Sequence, residues 1–244
     1  RLHFLLQSLA DLDASLRALD SRLIVLRGNP TTMLPLAIKE WQIDRLCHEV
    51  DTEEYAKTRD PEVAKLCSSA GVEVVTRWGH TLCDLDALLK RHPGGTPTTT
   101  YSAFCNHLDK QLKAEPLKLL DAPSRVPPVG PLGALGASGQ KVDVPTAVEL
   151  SLPAQSSAVI LAGGETEALR RMEAHLTRTD RDGRPWVASF EQPNTSPTEM
   201  DAFATGTRST TVLSPYLKFG CLSSRVLHER IAAIYRKHPK HSTP

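Results

Sequence analysis

The chain has 244 residues, 40% of them hydrophobic, and a net charge of only +1. That suffices for one large domain or two modest ones with real cores, and it excludes a global basic field for nucleic acid, although a local stripe of Lys and Arg would still serve. The five cysteines, Cys47, Cys67, Cys83, Cys105 and Cys221, are scattered, odd in number and without a CxxC pair. This argues against a disulfide framework or a zinc site and for a reducing, intracellular compartment. No apolar run reaches membrane-spanning length, and no signal-peptide pattern is visible.

In chain order, residues 1–20 predict an amphipathic helix, with Leu5, Leu9, Leu12, Leu16 and Leu19 on one face. Arg22–Arg27 is a short apolar run stopped by Gly28-Asn29-Pro30, the pattern of a buried strand and turn. Thr31–Trp41 predicts a helix, Ile43–Val50 a second strand, and Val72–Thr76 a third. Between the latter two, Asp60-Pro61 predicts a helix start, with Val63, Leu66, Cys67 and Ala70 inward and Gly71 as the stop. Asp84–Leu89 predicts a short helix. Alternation of helix and strand points to an α/β class with a parallel sheet. Because the segment opens on a helix, a first strand is expected before Arg1, which also suits a chain that does not begin with Met.

Residues 121–155 are rich in proline and glycine and predict a linker between an α/β domain at 1–120 and a second domain at 156–244. Gly163-Gly164-Glu165-Thr166-Glu167-Ala168-Leu169 opens a helix with Leu169, Met172 and Leu176 inward. A polar loop, 179–208, follows, and Leu227, Ile231 and Ile234 mark a last helix. No strand pattern is convincing after Gly163, so this half predicts all-helical structure.

The most informative stretch is Ser209–Ser224. Ser214 suits a helix N-cap, with Pro215 at the first helical position. A helix start presents unpaired N–H groups and partial positive charge, which suit a phosphate. Thr210, Thr211 and Ser214 add hydroxyl donors. On spacing alone the same stretch is also an ordinary capped helix after a loop.

As a word, Thr210-Thr211-Val212-Leu213-Ser214-Pro215-Tyr216-Leu217-Lys218-Phe219-Gly220-Cys221-Leu222-Ser223 resembles the FAD-phosphate loop of the photolyase/cryptochrome family. It is most similar to the branch of (6-4) photolyases and animal-type cryptochromes. Other blocks resemble the family in the same order: the helix opening at Arg1, Glu49–Glu53 with Tyr55–Asp60, Gly79-His80-Thr81-Leu82, Thr100-Tyr101-Ser102-Ala103-Phe104, and Gly163–Leu169. The resemblance implies a Rossmann-like parallel-sheet antenna domain lacking its first strand, a linker, and the beginning of an all-helical FAD-binding domain. It implies a blue-light flavoprotein. One form is a DNA photolyase repairing UV pyrimidine photoproducts by light-driven electron transfer on a flipped-out lesion; the alternative is a signalling or transcription-regulating cryptochrome. Cofactor-binding positions carried over are Thr210, Thr211, Val212, Leu213 and Ser214, anchoring phosphates without doing chemistry. The implied cofactors are FAD and, in members that carry one, an antenna deazaflavin or folate. The implied partners are UV-damaged DNA or, for signalling, proteins; the implied compartment is the nucleus or another that contains DNA. These residues alone are expected to be inactive.

Ligands of α/β sheets gather at strand C-terminal ends, here Gly28–Pro30, Asp51–Glu53 and Trp78–His80, where an antenna is expected. The same positions also suit ordinary turns and caps, and the Asp51/Glu53 pair suits either acid–base work or a solvated strand end. Lys218 and the basic run Arg236–His241 suit DNA phosphate or solvated surface. Leu2, His3 and Thr58 depart from the Trp-Arg pair and the Glu of many relatives, which weighs against the protein-partner pocket of animal clock repressors.

Overall fold

The computed structural model describes residues 1–137, 141–154, 161–189 and 211–239, with the side chain of Pro93 and that of Ala137 excepted. The chain divides into two compact units, Arg1–Ser15 with Val144–Pro244 and Leu16–Asp143.

The Leu16–Asp143 unit is the α/β unit. It contains α2 (Pro30–Trp41), β1 (Arg45–Glu49), α3 (Glu54–Ser69), β2 (Glu73–Arg77), α4 (Leu85–Arg91), α5 (Tyr101–Ala114) and α6 (Gly133–Ala137). The two strands are parallel, Arg45 opposite Glu73 and Glu49 opposite Arg77, with α3 as the crossover. Ile38, Val63, Cys67 and Val72 form the core, with Leu34, Ile43, Leu46 and Val74 packed around it. The helices have definite starts. Asn29 accepts the Thr31 N–H at 3.0 Å ahead of Pro30, Asp84 accepts the Ala87 N–H at 3.0 Å, and Thr100 accepts the Ala103 N–H at 3.2 Å.

Two expectations fail here. Arg22–Arg27 does not join the sheet: the Val25 N–H is taken by the Val142 carbonyl at 2.8 Å, and Arg22 by the Asp143 carboxylate, so no ladder to β1 or β2 forms. Asp60-Pro61 does not start α3. The helix begins at Glu54, after an Asx turn in which Asp51 accepts the Glu53 N–H at 3.1 Å, and runs through Pro61. Asp60 is held by Arg59 at 2.7 Å instead of capping. Ala56, Val63 and Cys67 bury one face on both sides of the proline, which holds the helix together despite its missing N–H. The stretch predicted as linker carries structure: the Leu132 carbonyl accepts Trp41 Nε1–H at 3.0 Å, and Glu40 accepts the Ala134 N–H, fixing α6 on α2.

The other unit is helical. It contains most of α1 (Leu2–Arg17), α7 (Glu165–Leu176), a 3-10 turn at Trp186–Ser189, α8 (Ser214–Lys218) and α9 (Ser224–Lys237). Its core is Ala168, Met172, Leu176, Val187, Leu213, Tyr216, Cys221 and Leu222. α1 stops at Arg17, short of residue 20, and Leu12 of the predicted stripe is exposed. α7 also turns differently from expectation: Ala168, Arg171, Met172, His175 and Leu176 are buried, while Leu169 is 42% exposed.

This gives a paired expectation. Met172→Ala should lower stability by about 2–5 kcal/mol through a cavity, and Leu169→Ala by less than about 1 kcal/mol. Urea midpoints of the two variants check it; equal losses would place the core on the wrong face of α7.

Candidate functional site

The predicted phosphate loop lies in the helical unit, and its geometry begins with α1. Gly164 precedes α7 with no side chain to cap it and with a left-handed φ of +119°. The cap comes from α1: Asp11 accepts the Thr166 N–H at 3.1 Å, and Gln7 accepts the Gly163 N–H at 2.8 Å. A Cβ on Gly163 would collide with the Phe4 carbonyl, and one on Gly164 would meet Asp11 Cβ at 2.9 Å. The Gly-Gly pair is therefore the condition for α1 to approach this helix start.

From that anchor α7 presents Glu167, Arg171 and His175 at successive i, i+4 positions. Glu167 accepts from Arg170 Nε at 2.6 Å and Nη2 at 2.8 Å, and from Arg171 Nε at 2.6 Å. The Arg170 hydrogen bond leads in holding the Glu167 carboxyl below its ordinary range, burial opposes it, and Arg171 adds to the lowering. Arg171 lies 6.0 Å from the centre of the Tyr216 ring. Tyr216 is fully buried, donates its hydroxyl to the Ala162 carbonyl at 2.7 Å, and meets Phe4 edge-on at 5.2 Å. Burial pushes its phenol upward. His175, 6% exposed, sits 5.5 Å from the Trp186 ring. Burial lowers its pKa, a hydrogen bond with the Thr211 backbone works the other way, and Arg178 and Arg171 add to the lowering.

Against this scaffold the loop is placed as follows. Thr211 is half-buried, Val212 and Leu213 are buried, and Ser214 is exposed. Thr210 lies outside the described residues. Val212 adopts a left-handed φ of +53°, unusual for a β-branched residue. Ser214 is the first residue of α8 and not its N-cap; Leu213 holds that position without a side-chain cap, because the chain enters the helix one residue earlier than the Ser-Pro pattern suggests. The side chains of Val212 and Leu213 anchor the loop in the core. Thr211 is half-buried and Ser214 exposed beside the first turn of α8, where Pro215 contributes no N–H. Hydroxyls and a helix start suit an anionic phosphate, so the donor set fits the phosphate side of FAD. Asp11, Gln7, Glu167, Arg171, His175 and Tyr216 were not singled out from sequence. The Glu167/Arg171 spacing was a readable signal, whereas the polar face of α1 was masked by its leucine stripe.

In the α/β unit, the ends of β1 and β2 do come together. The Val50 N–H donates to the Arg77 carbonyl at 2.9 Å, Glu49 lies over Gly79 where a Cβ would clash, and His80 Nδ1 is 3.6 Å from Glu49. Asp51–Glu53 forms the turn into α3, and Gly28–Pro30 forms the cap of α2. Lys218 ends α8 and Arg236 and Lys237 end α9, while the last residues of the basic run lie outside the described part.

A family model described as DNA photolyase matches residues 1–124. The chain belongs to the photolyase/cryptochrome family. It is 41% identical over 246 residues to cryptochrome-1 of Spalax judaei, covering 100% of this chain and 40% of that protein. The chain thus spans about two fifths of the length of such curated relatives. Among solved structures it is similar to a cryptochrome of Synechocystis sp. PCC6803, with TM-score 0.71, 19% identity, and 97% of this chain and 45% of that one covered. It is also similar to an archaeal photolyase of Sulfolobus tokodaii solved with two FAD molecules, with TM-score 0.61, 19% identity, and 98% and 47% covered. These likenesses bear out the α/β antenna fold, and the relatives are consistent with the animal branch. No helix among the described residues is long and apolar enough to cross a membrane.

Two expectations follow. Gly163→Ala should destabilise the helical unit by about 1–3 kcal/mol through overpacking, and Asp11→Ala by about 1 kcal/mol through the lost cap; thermal melts of both check this. For His175, the lowered folded pKa means that stability is full above the ordinary imidazole value of about 6.5 and falls as pH drops from there toward the lowered value. Denaturation between pH 7.5 and 5 should show this loss in the wild type and a flatter profile in His175→Phe. Parallel profiles would assign the loss to other groups.

Proposed function

We propose that this chain forms the phosphate-side wall of an FAD site in a light-responsive flavoprotein. The observation that carries this is the loop itself: Val212 and Leu213 are buried in the core, while Thr211 is half-buried and Ser214 is exposed at the start of α8. Ser214 and Thr211, with Thr210 beside them in sequence, would hold the phosphates, and the backbone of Val212 and Leu213 would complete the cradle. Bound FAD would supply the light-driven electron chemistry; the chain's own residues bind and orient. The S. tokodaii photolyase, solved with two FAD molecules, supports the cofactor assignment by analogy.

For the whole protein, the leading reading is a (6-4)-type DNA photolyase or animal-like cryptochrome acting on UV-damaged DNA in the nucleus or another DNA-containing compartment. The second reading is a signalling cryptochrome working through protein partners, favoured by the 41% identity to cryptochrome-1 across the chain. In members of the family that carry one, an antenna deazaflavin or folate would sit at the ends of the two strands, Asp51–Glu53 and Trp78–His80.

The 244-residue chain alone should bind FAD weakly, since one phosphate loop cannot bury a flavin ring system; stoichiometric flavin on the isolated chain would refute that. In the complete protein, Ser214→Ala should lower FAD affinity roughly tenfold through a lost charge-assisted hydrogen bond. Light-dependent repair of a (6-4) photoproduct oligonucleotide, with a cyclobutane dimer as control, separates the readings: repair supports the first, and bound flavin with no repair of either lesion supports the second.

A further inference from the structure

His175 joins the phosphate loop to α7, and its ring is held from three sides. α7 carries it one turn beyond Arg171, with both residues buried. The Trp186 ring lies 5.5 Å from its own, tilted by 32°. Trp186 in turn packs on the core that contains Met172, Leu176 and Leu213, and Arg178 covers its ring at 4.5 Å. The third tie is the hydrogen bond with the Thr211 backbone, which raises the histidine's pKa against the lowering by burial, Arg178 and Arg171. A partner that favours the protonated ring is an acceptor, so the ring N–H donates to the Thr211 carbonyl.

That carbonyl lies in the peptide plane that Thr211 shares with Val212. The direction of the plane sets φ of Val212, which is +53°. Turning the plane over would change this φ by about 180°, into the extended region that suits a β-branched residue. The orientation present is therefore the strained one. Burial of Val212 and Leu213 holds their side chains, but a peptide plane can turn over between fixed Cα atoms, so packing alone does not choose its direction. The bond from His175 does. A flipped plane would bring the Val212 N–H toward the ring, which accepts it only in its other tautomer. In the trans peptide present, the same bond sends the Val212 N–H to the side opposite His175.

We propose, on the FAD reading of the loop, that His175 is its positioning residue: the ring N–H latches the Thr211–Val212 peptide in the strained direction in which the loop takes the FAD phosphates. In the complete protein, His175→Phe keeps a planar ring without the donor and should weaken FAD binding about tenfold. His175→Gln, which restores an N–H donor, should recover most of that loss. In a Val212→Gly background the left-handed φ carries no penalty, so the same His175→Phe change should cost less than about threefold. Equal losses in the two backgrounds, with no recovery in His175→Gln, would mean that the ring only packs and would overturn the latch. Nitrogen-15 NMR of the wild-type 244-residue chain at about pH 7.5 tests it without a variant: the His175 ring should hold one neutral tautomer, its N–H slow to exchange with water. A ring that averages between tautomers overturns the proposal. Equal FAD affinity of wild type and His175→Phe refutes the latch alone, whereas a complete wild-type protein that takes up no FAD refutes the FAD reading and the latch with it.

Discussion

The helical unit depends on two backbone N–H groups at the head of α7. A helix start leaves its first donors open, and Gly164 has no side chain to satisfy them. Gln7 and Asp11 of α1 do so from a segment more than a hundred residues earlier in the chain. The contact demands two glycines, because the Phe4 carbonyl and Asp11 occupy the space that side chains would need. Once this end of α7 is fixed, the i, i+4 series Glu167, Arg171, His175 is fixed in direction. That series reaches the Tyr216 ring and then the Thr211 backbone.

The loop itself is not relaxed. A valine in the left-handed region costs of the order of 1–3 kcal/mol, and such residues persist only where their surroundings over-determine them. Here the surroundings are identifiable. Val212 and Leu213 are buried, and Leu213 belongs to the same core cluster as Ala168, Met172 and Tyr216. His175 is tied to the backbone of the preceding residue. The burial of Val212 and Leu213 thus lies between a half-buried Thr211 and an exposed Ser214.

Much of this was legible in sequence, and the failures have physical causes. The β1–α3–β2 crossover followed from period and punctuation, because strand and helix patterns alternate cleanly there. Arg22–Arg27 has strand composition, but a strand exists only with a ladder partner, and composition says nothing about partners. Asp60-Pro61 has the local grammar of a helix start, yet tertiary burial of Ala56, Val63 and Cys67 overrode it. In α1 the leucines were the visible stripe, while the contacts that matter come from Phe4, Gln7, Ser8 and Asp11, since Cys221 also meets Ser8 Oγ at 3.3 Å. Polar residues on a half-buried helix face carry no signal of their partner until the fold brings it near.

Net charge also conceals the local field. The chain as a whole is close to neutral, yet around the loop Glu167 serves both Arg170 and Arg171, which leaves guanidinium charge in excess of carboxylate. Arg171 is nearly buried, so water screens it less than a surface arginine. Arg178, 4.5 Å above the Trp186 ring, adds a further cation on the same side as His175. Burial is the first cause that lowers the His175 pKa, and these two cations add to it. The groove between α4 and α5 has the opposite character, with no Asp, Glu, Lys or Arg lining it. The difference between the two places lies in the density of fixed charge and not in their hydrophobicity, which is why a composition near neutrality describes neither.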